Sequence, residues 1–440
     1  MQEKKSPPAK HDVIQSIKIF VFGVCMMSFF IIGLMLFLRP KVSMIEKRPL
    51  AEFPEFTAAG LWDGSFFKKI DIWYSDTYPL REEMIAASKK VESFYGSRSE
   101  QIIEGKNDQA APPPKPPAEN QPPAQNNQPE PEENLPDGTI HGIGEIRGQI
   151  YIANNSGYEL YTFLEDNNLN FVKTMNDIYS RFRALVNFYV MLVPNSAGVM
   201  LDKSALEYLG TSDEAVAFDF VLSRLDGGIL KVNSLPTLRK HNAEYIFFHT
   251  DHHWTGLGAY YAYVEFCKVK GIQPHDIKNY EQKVFPGFLG SFYSSSNQSP
   301  EIAANPDTVI AYLPKDADKM TIFDKDGAAQ TYPIIIDVSD YHPSALYGAF
   351  VAGDVPLAVV HNDKISDGSG VLVIKDSMGN AFIPWLVDHY ENIVWVDPRY
   401  FEGKISDLVH KYHITDLIFE VGVYNASNTY IHKRYDQISW

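Results

Sequence analysis

Unbroken apolar runs alternating with helix-like stretches constrain this chain more than any other feature. Asn187 to Pro194, Leu357 to Val360, Val371 to Ile374, Ile393 to Val396 and Leu417 to Val423 read as strands. Gln149 to Ile152 is also strand-like. Between them Leu169 to Arg183, Asp213 to Leu225 and Ala381 to Tyr390 carry helical spacing. Strands that do not alternate with polar residues are buried on both faces, which requires helices on each side of the sheet. The pattern therefore predicts an α/β domain over residues 139–440, with three layers around a mostly parallel sheet. Residues 285–355, richer in Ser, Asn and Asp, read as an insertion or a β-rich flap.

In open α/β sheets chemistry gathers at the carboxyl ends of strands. Two stretches occupy such places. Tyr245-Ile246-Phe247-Phe248 reads as a buried strand feeding His249-Thr250-Asp251-His252-His253-Trp254, with Thr255 as the N-cap of a helix from Gly256. In an extended backbone Asp251 and His253 share one face, so the carboxylate can hold one ring nitrogen and leave the other for a nucleophile. His252 then points the opposite way, toward packing or a helix cap. A structural histidine pair is the plainer alternative. His249, Asp251 and His253 also form a two-histidine, one-carboxylate set suited to zinc or iron.

The second stretch, Val371 to Asn380, places Ser377 at a strand-to-helix turn, where helix amides can stabilise an oxyanion. Gly379 permits close backbone approach, and Asn380 can donate a side-chain hydrogen bond. The competing reading is that Asp376 or Ser377 merely caps the helix. A metal site would leave Ser377 unexplained; a catalytic triad of Ser377, His253 and Asp251 uses it. Weaker candidates follow two further strands. Arg399 in Asp397-Pro398-Arg399-Tyr400 can face an anionic sugar or acyl oxygen, and Asn425 after Tyr424 can line the site.

Ahead of this domain, residues 1–18 are polar and read as a cytoplasmic N-terminus. Ile19 to Leu38 carries no charge and is long enough, at about 30 Å, to cross a bilayer as an uncleaved signal anchor. Basic residues flank both of its ends, so the Lys/Arg rule says little about orientation. Residues 39–104 read as a membrane-proximal segment packing on the main domain, with an amphipathic helix from Leu80 to Tyr95. Residues 105–138 turn sharply to Pro, Gln, Asn and Glu, a composition that cannot offset its ordering entropy and reads as a linker or long loop. A net charge of -16 argues against nucleic acid as a partner. The two cysteines, Cys25 and Cys267, make neither a disulfide nor a metal-binding motif, and no cofactor is expected.

Asp251-His252-His253-Trp254 resembles the DHHW proteins of Gram-positive bacteria and, more distantly, the alginate O-acetyltransferases AlgJ and AlgX of the SGNH hydrolase-like superfamily. Glu46 to Leu50, Asp63-Gly64, Asp76 to Arg81, Lys375-Asp376-Ser377 and Asp397 to Tyr400 also look family-like, so the resemblance covers most of the chain outside the proline-rich stretch. It implies a Ser377–His253–Asp251 triad, with Asp and His preceding the serine, the reverse of ordinary SGNH esterases. This chain has Lys375-Asp376-Ser377 where those have Gly-Asp-Ser. The resemblance further implies an extracytoplasmic enzyme at the Gram-positive cell surface. It would take acetyl groups from a membrane-bound O-acyltransferase and pass them through an acetyl-Ser377 intermediate to a cell-surface polysaccharide. A carbohydrate acetylesterase and a non-catalytic polysaccharide-binding or assembly protein are the alternative readings.

Overall fold

A computed structural model describes residues 39, 42–43, 48–49, 52–54, 56, 65–79, 136–140, 144–147 and 150–440. The apolar run Ile19 to Leu38, the helix expected over Leu80 to Tyr95 and the proline-rich stretch as far as residue 135 lie outside them. Among the described residues no helix is long and apolar enough to cross a membrane. The chain divides into two units, Met1–Ile102 and Ile103–Trp440.

In the first unit the helix Ser65–Asp76 ends against Arg39. The Arg39 guanidinium lies 4.0 Å over the Trp73 ring and donates to Thr77 Oγ1 at 2.7 Å. A planar cation stacked on an aromatic face and tied by a hydrogen bond fixes that end of the segment.

The second unit is built on an eight-stranded sheet. Its strands are β1 (Asn187–Val193), β2 (Leu230–Asn233), β3 (Lys319–Phe323), β4 (Ala329–Pro333), β5 (Leu357–His361), β6 (Gly370–Ile374), β7 (Asn392–Val396) and β8 (Asp416–Gly422). Across the sheet they run β4-β3-β5-β7-β6-β8-β1-β2. The strands from β7 to β2 are parallel, whereas β5, β3 and β4 are joined antiparallel. The sheet is thus mixed rather than mostly parallel, and part of the 285–355 stretch forms its edge. Hydrophobic runs report burial, not strand direction, so this reversal had no sequence signature.

Helices cover both faces. Neighbouring residues of a strand point to opposite sides. Phe188 meets Tyr179 of helix α1 (Glu165–Phe182), with ring centroids 5.7 Å apart. Tyr189 meets Phe266 of helix α2 (Gly256–Lys270) at 5.2 Å. β6, every residue of it buried, runs into helix α3 (Gly379–Leu386) through the turn that carries Ser377.

Tyr245 to Phe248 is not a strand of this sheet. Ile246, Phe247 and Phe248 are buried, but they form a hairpin-like loop closed by Phe248 N–H to His253 O and Thr255 N–H to Ile246 O. A short apolar run reports burial alone, and here the buried backbone is satisfied within the loop. Thr255 does cap α2, its side chain accepting from Gly258 N–H.

Candidate active site

The sheet topology brings four separate segments to one edge. β6 is flanked by β7 and β8, and all three deliver their carboxyl ends to the same side: Asp376 and Ser377, Asp397 and Arg399, Gly422 and Asn425. β5 runs the other way, with Leu357 opposite Val396, so the residues just before it, Asp354 among them, arrive at that same edge. The antiparallel reversal is what places Asp354 there.

The serine turn is held from below. Asp376 Oδ1 accepts from Met378 N–H at 2.9 Å and braces the turn. Helix α3 has Met378 at its N-cap and no side-chain cap bond, so neither Asp376 nor Ser377 caps it. Asp376 Oδ2 accepts from Gly422 N–H at 2.8 Å and from Asn425 Nδ2 at 2.7 Å. Asn425 therefore tethers the turn through Asp376. A Cβ on Gly379 would lie 2.6 Å from Lys375 Cβ and 2.9 Å from Glu420 Oε2, so this position takes glycine for closeness. Ser377 itself is half-buried, and its Oγ makes no hydrogen bond among the described residues.

The histidine loop is shaped by Asp307, a residue with no motif around it in the sequence. Its buried carboxylate accepts from Tyr245 Oη, His249 N–H, Thr250 N–H and Thr250 Oγ1, all within 2.8 Å. The His249 ring also goes to Asp307, 3.0 Å from Oδ1, and stacks on Tyr245. Among the described residues, the three metal-capable side chains whose ligand atoms lie within 4.8 Å of one another are instead Asp251, His252 and His253. His249 does not join them, so the set expected from the sequence is not brought together. His252 departs from expectation as well: its ring lies against His253, with centroids 3.8 Å apart, and Nδ1 meets Ser291 Oγ at 2.6 Å.

Asp251 and His253 form the expected pair. Asp251 Oδ1 accepts from His253 N–H at 3.0 Å and lies 2.5 Å from His253 Nδ1, while Oδ2 accepts from Ser291 N–H at 2.7 Å. The pairing comes from a bend that folds the carboxylate back over its own loop, not from strand periodicity. A carboxylate on Nδ1 favours the tautomer that leaves Nε2 as an acceptor. Nε2 is buried and has no hydrogen-bond partner among the described residues. Buried polar atoms are rarely left so, and an unmatched one at a site calls for a function.

Two contacts join this loop to the serine turn. Tyr347 stacks on His253, with ring centroids 3.8 Å apart and 10° between planes, and its hydroxyl donates to Ser377 O at 2.8 Å. Trp254 Nε1 donates to Met378 O at 2.8 Å. Neither Tyr347 nor Asp354 was singled out in the sequence, since a lone Tyr or Asp in a variable stretch carries no signal.

Beside the turn lies an ionic cluster. Arg399 donates from Nε to Asp397 Oδ1 at 2.9 Å and from Nη2 to Asp354 Oδ2 at 2.8 Å. Asn380 Nδ2 donates to Asp354 Oδ1 at 3.0 Å, and buried Lys375 Nζ lies 3.5 Å from the same oxygen. Burial works against ionisation of Asp354, yet Lys375 and Arg399 hold its carboxyl well below the usual carboxylate range. Burial, reinforced by the Asp376 charge, pushes the Glu420 carboxyl well above that range. Near Asp251, burial also raises the Glu159 carboxyl.

Fold and site together define a class: an α/β protein with a serine at a strand-to-helix turn and a histidine–carboxylate pair delivered by a separate loop. Trp254, the residue that docks one on the other, closes the Asp-His-His-Trp motif. The chain belongs to the DHHW family, whose model, described as DHHW protein, matches residues 46–112 and 121–396. Among solved structures it resembles a DHHW family protein from Eubacterium siraeum at 25% identity and a TM-score of 0.61, over 68% of this chain and 98% of that one. It resembles Bacillus cereus PatB1 at 20% identity and a TM-score of 0.55, over 64% of this chain and 98% of that one. The O-acetyltransferase domain of Pseudomonas putida AlgJ also aligns, at 12% identity and a TM-score of 0.32, over 66% of this chain and 97% of that one. No curated protein matches the sequence.

Proposed function

We propose that this protein is a serine O-acetyltransferase that modifies a cell-surface polysaccharide through an acetyl-Ser377 intermediate. What supports the reading most is the buried Nε2 of His253, unpartnered among the described residues while Nδ1 is held by Asp251, on a loop docked against the serine turn. In the proposed sequence Ser377 Oγ attacks the acetyl carbonyl and its proton passes to His253 Nε2. The collapsing intermediate expels the donor's leaving group, which takes that proton. A glycan hydroxyl then gives its proton to Nε2 and attacks the acetyl-serine, and Ser377 regains the proton as it leaves. Asp251 orients the imidazole and stabilises its charged form. The Ser–His hydrogen bond forms on substrate binding, since such contacts tighten in the complex. The oxyanion falls to the Ser377 N–H and Asn380 Nδ2.

By the same reading, Ile19 to Leu38 anchors the protein in the membrane with its catalytic domain outside the cytoplasm. The half-buried position of Ser377 also favours a second reading, an acetylesterase in which water discharges the same intermediate.

Intact-mass spectrometry after exposure to an activated acetyl ester tests the proposal. One added acetyl group is expected, absent in Ser377→Ala, with faster loss on adding an acceptor glycan for a transferase and no glycan effect for an esterase. An adduct of equal yield in Ser377→Ala would sink the serine mechanism.

A further inference from the structure

We propose that His252, the one member of the Asp-His-His-Trp motif without a part so far, is a positioning residue whose ring closes a sandwich that fixes the plane of the His253 imidazole. The inference rests on the reading of His253 as the proton carrier for Ser377 and deepens it.

Asp251 sets one edge of that imidazole but not its plane. The χ2 torsion of a histidine lies in a broad well, and a hydrogen bond at Nδ1 alone lets the ring rock about it. Proton transfer needs Nε2 held in line with the serine oxygen. Ring faces on either side supply what the hydrogen bond does not. Tyr347 covers one face of the imidazole, with centroids 3.8 Å apart and 10° between planes. The His252 ring also lies 3.8 Å from it, at 37°. Two rings so near cannot share one face, so His252 takes the other.

Each plate of the sandwich is itself held. The Tyr347 hydroxyl donates to Ser377 O at 2.8 Å, which registers that plate on the serine turn. His252 Nδ1 meets Ser291 Oγ at 2.6 Å, and the His252 backbone N–H donates to the same oxygen at 3.2 Å. The Ser291 N–H donates to Asp251 Oδ2 at 2.7 Å. One serine thus holds both groups that hold His253 from its own loop. Phe292, buried with Ile150 and Ile152, meets the His252 ring edge-on, with centroids 6.5 Å apart. Stacked and edge-on aromatic pairs of this kind hold ring orientation as well as burying area. Ser291, Phe292 and Tyr347 all come from residues 285–355, so that stretch serves the site as the frame of the sandwich.

The test measures turnover of 4-nitrophenyl acetate by the full-length protein and by His252→Ala, His252→Phe and His252→Asn. Phenylalanine keeps the ring and drops the bond to Ser291; asparagine keeps a polar partner for Ser291 and drops the ring. In His252→Ala and His252→Asn kcat should fall about ten-fold with KM within about two-fold of wild type, and His252→Phe should recover most of the loss. A rise in KM at unchanged kcat means that His252 touches substrate instead, and recovery by asparagine but not phenylalanine means that the Ser291 bond carries the effect. Either result overturns the inference, as does a kcat that no variant changes. Should His252→Ala fail to fold, the phenylalanine and asparagine pair decides. Diethyl pyrocarbonate labelling, read at His253 by peptide mass spectrometry, checks the sandwich without turnover. Labelling should be faster than wild type in His252→Asn and unchanged in His252→Phe; equal rates in both overturn the inference. If wild type does not turn over the ester, or Ser377→Ala is unimpaired, it is the serine reading that fails, and the labelling alone decides the sandwich.

Discussion

Asp307 offers the sharpest test of how the histidine loop is held. Its carboxylate, 1% exposed, accepts from two backbone amides and two hydroxyls. In Asp307→Ala the Thr250 hydroxyl keeps a second acceptor, Phe288 O at 3.2 Å, but the amides of His249 and Thr250 lose theirs. Each buried donor left unmet costs about 1–3 kcal/mol. Allowing for relaxation, the substitution should cost about 3–5 kcal/mol, near the top of the range for single changes. Asp307→Asn keeps one acceptor oxygen and turns an NH2 toward the remaining donors, for about 2–4 kcal/mol. Urea unfolding followed by tryptophan fluorescence reads both, with Trp254 buried next to the loop. Acetyl-adduct formation should fall in each variant more steeply than stability requires, because Asp251 and His253 lie on the same loop. If Asp307→Ala unfolds within about 0.5 kcal/mol of wild type, the loop is held by something else and the reasoning fails.

Gly290→Ala would set a Cβ 2.2 Å from Asp251 Oδ2, displacing the carboxylate from His253; acyl turnover should drop by about 100-fold or more, measured as kcat/KM on an activated ester. Tyr347→Phe keeps the ring on His253 but removes the donor to Ser377 O, so it should cost about 1 kcal/mol in urea unfolding and lower kcat with little change in KM. Burial, with His275 nearby, pushes His389 down to about 4, below its unfolded value. The unfolded state then binds the extra proton, so stability falls as pH drops from about 6.5 to about 4 and levels off below. Discounted for partial exposure, that loss is on the order of 1–2 kcal/mol, and His389→Asn should flatten it in unfolding curves taken across the window.

Burial was legible in the sequence; geometry was less so. The apolar runs of β1, β6, β7 and β8 mark central strands because such runs tolerate no solvent face. The same signal misassigned Tyr245 to Phe248, since a loop that satisfies its own backbone is just as apolar. Asp251, His253 and Ser377 stood out because polar residues beside apolar runs need a reason. Arg399 and Asn425 were found in the right places, but their partners, Asp354 with Asp397 and Asp376, decide what they do. Asp307, Tyr347 and Asp354 come from the stretch read as an insertion or flap. Their roles arise from contacts across the fold, such as the hydroxyl of Tyr347 on Ser377, which no local spacing encodes.

The strand that steadies the serine turn is β8, which inserts between β6 and β1 although it is made after both. A chain emerging from a ribosome carries Ser377 and the whole histidine loop before Gly422 exists to grip Asp376. Until then the sheet has a gap at its middle and the turn lacks one of its anchors. The serine turn therefore gains its Gly422 anchor only once the last strand of the sheet has been made and has inserted at its middle.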